Sequence, residues 1–97
     1  MATRVLKKQA ERAVGVFKIL STGSRVRILQ LLLRERRSMA VGEIAAALEM
    51  TESATSHQLR VLFDAGAVGA VVDGRHARYV FLSTGRARLF RRALKVA

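Results

Sequence analysis

The chain has 97 residues, of which 51% are hydrophobic, with 18 Lys and Arg against 7 Asp and Glu for a formal charge of +11, and no cysteine. That composition supports one small core, speaks against disorder, and excludes disulfides, thiolate metal sites and thiol redox sensing. A pI of about 11.8 exceeds the value of about 9 that marks a nucleic-acid footprint, although acidic proteins and membrane surfaces attract such a chain too.

No apolar run approaches the roughly 20 residues needed to cross a bilayer. The opening MATRVLKKQAERAVGVFKIL is charged and amphipathic, and lacks the apolar core and cleavage site of a signal peptide. A cytoplasmic protein with no membrane partner is the expectation. Leu6, Ala10, Ala13, Phe17 and Leu20 recur at 4-3-4-3 spacing with Val14 beside them, which predicts an amphipathic first helix. Ser21-Thr22-Gly23-Ser24 breaks it, and Ser24 is placed to cap a second helix over about 25–36 whose buried stripe is Ile28, Leu29, Leu32 and Leu33. Val41, Ile44, Ala45 and Leu48 predict a short third helix. Thr51 can cap a fourth, which ends at Asp64-Ala65-Gly66 with Gly66 as the residue after the cap. The gap between these two helices (Glu49, Met50, Thr51) matches helix-turn-helix spacing. The period then changes from 3.6 to 2. Val68 to Val72 and Ala77 to Leu82 read as strands around Asp73-Gly74, a hairpin turn pair, and Ser83 can cap a last helix, TGRARLFRRALKVA. The expected fold is mainly α with a β-hairpin (α+β). Its order is α-α-α-α-β-β-α in one domain over 1–97, with a helix-turn-helix at about 41–65 and a wing at about 68–82.

The fourth helix shows what the fold presents. Rotating 100° per residue from Thr51, the side chains of Ser53, Ser56, His57 and Arg60 fall on one face, with Gln58 on its flank. Thr55, Leu59 and Leu62 fall opposite, toward a core. Solvated helix faces usually carry Lys, Glu and Gln, whereas Ser and Thr are poor helix formers. Short donors and acceptors, one ring and one guanidinium suit a major groove read by a helix. Glu52 fits the helix dipole but repels phosphate. After the turn, Arg75, His76 and Arg78 form a basic wing that touches phosphates or an adjacent minor groove, or else an edge strand kept soluble by charge. Thr51, Arg75, His76 and Arg78 are the expected backbone-positioning residues.

The segments LSTGSRVRILQLL (20–32), VGEIAAAL (41–48), TESATSHQLRVLFDAGAV (51–68) and DGRHARYVFL (73–82) together resemble the ArsR/SmtB-type winged-helix transcriptional repressors. The resemblance implies a homodimer built from the first and last helices and bound to an imperfect inverted repeat in double-stranded promoter DNA. The residues agree: Leu6, Ala10, Ala13 and Phe17 on the first helix, with Leu89, Phe90, Ala93 and Leu94 on the last, exceed what a bare winged helix needs. A two-fold dimer would bury them and set two reading helices about one DNA turn apart; otherwise both helices simply close the monomer's core. The chain departs from the family where metals are sensed. Met39-Ala40-Val41-Gly42-Glu43 holds no thiolate, and after Asp73 there is no acidic residue and no histidine beyond His76. His57 and His76 cannot complete a zinc site in one subunit, which leaves open only a site shared between subunits; no metal and no cofactor is expected. The effector stays open between a small ligand, a partner protein and the protein's own concentration.

Rival readings belong to other classes. Catalysis has little support, because Ser56 and His57 are helix neighbours that point about 100° apart, and no catalytic residue is assigned. A protein- or RNA-binding winged helix would more often lose the polar reading face or carry stacking aromatics. A non-specific architectural DNA binder would share the charge but not the sequence preference.

Overall fold

The computed structural model describes residues 2–95. Met1 lies outside them, as do Val96 and Ala97 at the end of the expected last helix. The elements are α1 (Ala2–Ile19), α2 (Gly23–Glu35), β1 (Met39–Ala40), α3 (Val41–Leu48), α4 (Glu52–Asp64), β2 (Val68–Asp73), β3 (His76–Phe81) and α5 (Ala87–Leu94). This is the expected winged helix with one addition. The two-residue strand β1 pairs antiparallel with β3, Met39 opposite Tyr79 and Ala40 opposite Arg78, so the sheet runs β1-β3-β2. Two residues carry no alternation, which is why the strand has no sequence signal.

Boundaries moved for local reasons. The N-cap position of α2 is Thr22 and Ser24 lies inside the helix, so Ser24 caps nothing. Likewise α5 starts at Ala87 behind Arg86, and Ser83 sits in the preceding bend. Asp73 pairs with His76, which makes Gly74-Arg75 the hairpin loop, one residue beyond the expected pair. Gly74 has φ +64° at the first loop position, the signature of a type II′ turn, whose twist matches the flanking strands. The end of α4 is as expected. Gly66 takes φ +80°, its N–H donates to Phe63 O at 3.0 Å, and the Ala67 N–H donates to Leu62 O at 3.0 Å. This paired arrangement satisfies carbonyls that the helix end would otherwise orphan.

The core gathers Ile28, Leu29 and Leu32 from α2, Ile44 from α3, Leu59 and Leu62 from α4, and Val68 and Phe81 from the sheet. Leu31 is buried as well, and Leu33 only partly, because α2 is covered on a broader face than one stripe. Arg91 fastens α5 to the end of β3: its guanidinium donates to Leu82 O at 2.6 Å and Phe81 O at 2.8 Å, and lies 4.5 Å from the Phe81 ring centroid.

α1 is the outlier. Its one buried residue is Val16, every described residue from Ala2 to Gly15 is exposed, and the molecule measures 48 × 25 × 21 Å. With Val16 as its one buried residue, α1 draws little of the tertiary packing that supplies most helical stability in proteins. Among the described residues no helix is long and apolar enough to cross a membrane.

Candidate nucleic-acid interface

α4 is set by its own first turn. Thr51 Oγ1 accepts from the Ala54 N–H at 3.0 Å, while Thr55, fully buried, donates its hydroxyl to Thr51 O at 2.8 Å. With Thr55, Leu59 and Leu62 anchored inward, Ser53, Ser56, His57 and Arg60 are all exposed along one face. Arg60 Nε lies 3.6 Å from Asp64 Oδ2, both side chains well exposed (79% and 64%). A pair that open contributes little and can be released to a better acceptor.

Two braces from α2, one to α4 and one to α3, have no sequence signal, since each joins residues distant in the chain. Arg25 Nε donates to Gln58 Oε1 at 2.8 Å and its Nη1 to Ile19 O at 3.3 Å; Arg27 Nη2 donates to Leu48 O at 2.7 Å. Gln58 is half-buried and its carbonyl oxygen accepts from Arg25, which ties α4 to α2. The turn between α3 and α4 is tight. Glu49 takes φ +54°, and the Met50 N–H donates to Ala45 O at 2.9 Å.

Glu52, the charge that suits DNA least, is turned aside. A Cβ built on Gly42 would stand 2.8 Å from Glu52 Oε1, which puts the carboxylate over the first turn of α3, where the helix dipole favours an anion. Gly42 is the residue that leaves it room. Gly42→Ala only has to push away the end of a flexible side chain, so folding should survive while the displaced carboxylate weakens DNA binding by about 1 kcal/mol. Adding Glu52→Gln should restore affinity. Unchanged binding by Gly42→Ala in an anisotropy titration would remove this role.

The wing divides. Arg75, in the turn, and His76 are exposed. Arg78 is half-buried and committed: it donates to Ser38 Oγ at 3.3 Å, Ser38 O at 3.0 Å and Glu43 Oε1 at 3.0 Å. Its Nε and Nη2 thus fix the wing to the start of α3, a bracing not expected of a residue read as positioning the DNA backbone. Glu43 is the hub. Its Oε1 also accepts from the Ala40 N–H at 3.1 Å, and its Oε2 from Arg37 Nη1 at 3.0 Å. The Ala40 bond, then the Arg37 hydrogen bond, with help from the charges of Arg37 and Arg78 and against partial desolvation, hold the Glu43 carboxyl below its ordinary 4.5. A depressed folded pKa means stability that is present above the unfolded value and lost as pH falls through the folded one. Urea unfolding between about pH 6 and 3 should therefore show an acid-labile component that Glu43→Gln lacks; superimposable acid profiles would show that the carboxylate adds nothing.

The chain has no cysteine, and among the described residues no three His, Asp or Glu side chains cluster as ligands.

The expected dimer residues also divide. Leu6, Ala10, Ala13 and Phe17 are exposed, Leu6 at 64% and Phe17 at 62%, with Val5 and Val14 adding to the same helix. On α5, Leu89 and Ala93 are half-buried, but Phe90 and Leu94 are buried inside the protomer. Those two close the monomer's core, a correction that follows from α5 turning its 87-90-94 face inward.

Residues 22–69 match the family model described as bacterial regulatory protein, arsR family. Over 83 residues, 86% of this chain and 61% of the relative, the sequence is 34% identical to a protein of Synechocystis described as a transcriptional repressor SmtB homolog. The chain thus spans about three fifths of that relative's length. Among solved structures, reduced HlyU from Vibrio cholerae superposes with a TM-score of 0.79 at 26% identity, over 96% of both chains. A homodimeric winged helix-turn-helix DNA-binding domain from Mycobacterium bovis superposes with a TM-score of 0.75 at 31% identity, over 93% of this chain and 82% of that one. With its helix-turn-helix, wing and flanking helices in this order, the chain belongs to the ArsR family of bacterial regulatory proteins.

Proposed function

We propose that the protein is a sequence-specific DNA-binding transcriptional repressor that acts as a homodimer on an inverted-repeat operator, and whose signal is not a metal held within one protomer. The observation that carries this reading is the exposed row Ser53, Ser56, His57 and Arg60 on a helix braced from behind, beside an exposed basic wing tip. In this reading those four side chains face base edges, while Thr51, Arg75 and His76 position the phosphate backbone, and Gln58 and Arg78 hold the two reading elements in place. The second copy covers α1 and the outer face of α5 at Leu6, Ala10, Ala13, Phe17, Leu89 and Ala93. Support comes from physics, since a long helix with exposed Leu6 and Phe17 gains most from a partner, and from the Mycobacterium bovis neighbour, itself homodimeric.

Fluorescence anisotropy tests it, with a duplex from the protein's own promoter against a scrambled duplex at about 150 mM salt. A preference above about 10³-fold, with two chains per inverted repeat, is the expected result. Equal binding to a duplex holding the true site would favour an architectural or protein-binding role. In the same assay Arg60→Ala should cost about 1–3 kcal/mol and relax one operator position. Uniform weakening on every sequence would make Arg60 a phosphate contact.

A further inference from the structure

Two adjoining hollows at the junction of α1, α4 and α5 share only Leu89 with the surface assigned above to a second copy. The inner one, about 430 Å³, is walled by Gly15, Val16, Ile19, Val61, Leu89 and Phe90. The outer one, about 600 Å³, is bordered by Arg12, Arg86, Arg88 and Arg92. They share Arg12, Arg86 and Leu89, so an apolar chamber opens into a mouth ringed by guanidiniums. From this geometry we infer a binding site for an amphiphilic organic anion, an aromatic or aliphatic carboxylate or sulfonate, with its apolar body in the chamber and its head on the arginines.

Three observations carry the assignment. First, Arg25, Arg27, Arg37, Arg78 and Arg91 are each committed to protein acceptors. Among the described residues, the side chains of Arg12, Arg86, Arg88 and Arg92 take part in no hydrogen bond or ion pair of the fold. Charge-assisted bonds to an anionic head are the strongest such donors can make. Second, glycine inside a helix costs about 1 kcal/mol relative to alanine, yet a Cβ at Gly15 would meet nothing within 4 Å. No packing contact within the chain demands glycine there; what its missing side chain provides is space in the chamber wall. Third, a second copy is a poor occupant of the mouth, since no acidic residue follows Asp73 and its α5 would bring like charge. Glu11 and Asp64 also border the chamber, but the arginines outnumber the pair.

Occupation would bear directly on α4. Val61 and Asp64 belong to it, and the Arg86 stem lies against its end, with Cβ 3.4 Å and Cδ 3.5 Å from where a Gly66 Cβ would stand. The site therefore deepens the repressor reading by naming the class of its effector, yet its test needs no DNA and stands or falls separately. The full chain is titrated with anilinonaphthalene sulfonate, an aromatic sulfonate that fluoresces when bound, and with its uncharged parent anilinonaphthalene. Saturable binding of the sulfonate is expected, at least about tenfold tighter than the parent, and at least about tenfold weaker in Arg86→Gln, which lacks the charged donor. Gly15→Leu, which fills the chamber and favours the helix, should abolish it with the circular dichroism intact. Dye binding that survives both substitutions, equals that of the parent, or is lost instead on Phe17→Glu in the outer groove of α1 overturns the inference.

Discussion

Affinity for the operator is expected to fall by about 10³- to 10⁵-fold when salt is raised from about 50 to 200 mM, as follows from 6 to 10 neutralised phosphates per bound dimer. The physical ground is counterion release. Each phosphate contact sheds condensed cations, so the logarithm of the binding constant falls linearly with that of the salt concentration. The fold distributes the 18 basic residues unevenly for this purpose. Arg25, Arg27, Arg37, Arg78 and Arg91 are engaged internally, whereas Arg60 and Arg75 are exposed beside the reading face. In the proposed complex, helix N-termini and the Thr51 hydroxyl would supply the uncharged share of phosphate contacts. The slope is therefore expected nearer the low end of that range than a charge of +11 suggests. Anisotropy titrations at four or more salt concentrations give it directly. A log–log slope shallower than about −3 would leave roughly three phosphates, too few for two reading helices, and would remove the dimeric footprint.

Leu59→Ala is expected to cost about 2–5 kcal/mol of folding stability, out of the roughly 5–15 kcal/mol that a domain of this kind possesses. Leu59 is fully buried on the inward face of α4, beside the equally buried Leu62 and Ile28. Truncation removes apolar contact and leaves a cavity that α2 and the sheet cannot close without moving. Two residues away, His57 is exposed, and His57→Ala should stay within about 0.5 kcal/mol while changing DNA recognition. Urea unfolding followed by circular dichroism separates the two. A cost below about 1 kcal/mol for Leu59→Ala would mean that α4 is not held by this core, and the orientation of the reading face would lose its basis.

The order of helices and strands was legible in the chain because each element has a period of its own. The 3.6-residue recurrence of Leu59 with Thr55 and Leu62, the cap at Thr51 and the glycine after Asp64 are local features, decided within a few residues. The exposed row from Ser53 to Arg60 follows from the same rotation, so that part of the candidate site could be placed from sequence. What the sequence could not place depends on pairs far apart along it. β1 exists because β3 offers it a partner at Tyr79 and Arg78. Arg78 leaves the wing surface because Ser38 and Glu43 arrive beside it, and Gln58 is held by Arg25 across 33 positions. On α5, Phe90 and Leu94 share an apolar face with Leu89 and Ala93, and periodicity cannot say which side meets the protomer's own core and which faces outward. Only the tertiary structure decides that, since burial is set by what lies opposite a face, and a helix carries no record of its neighbour in its own spacing.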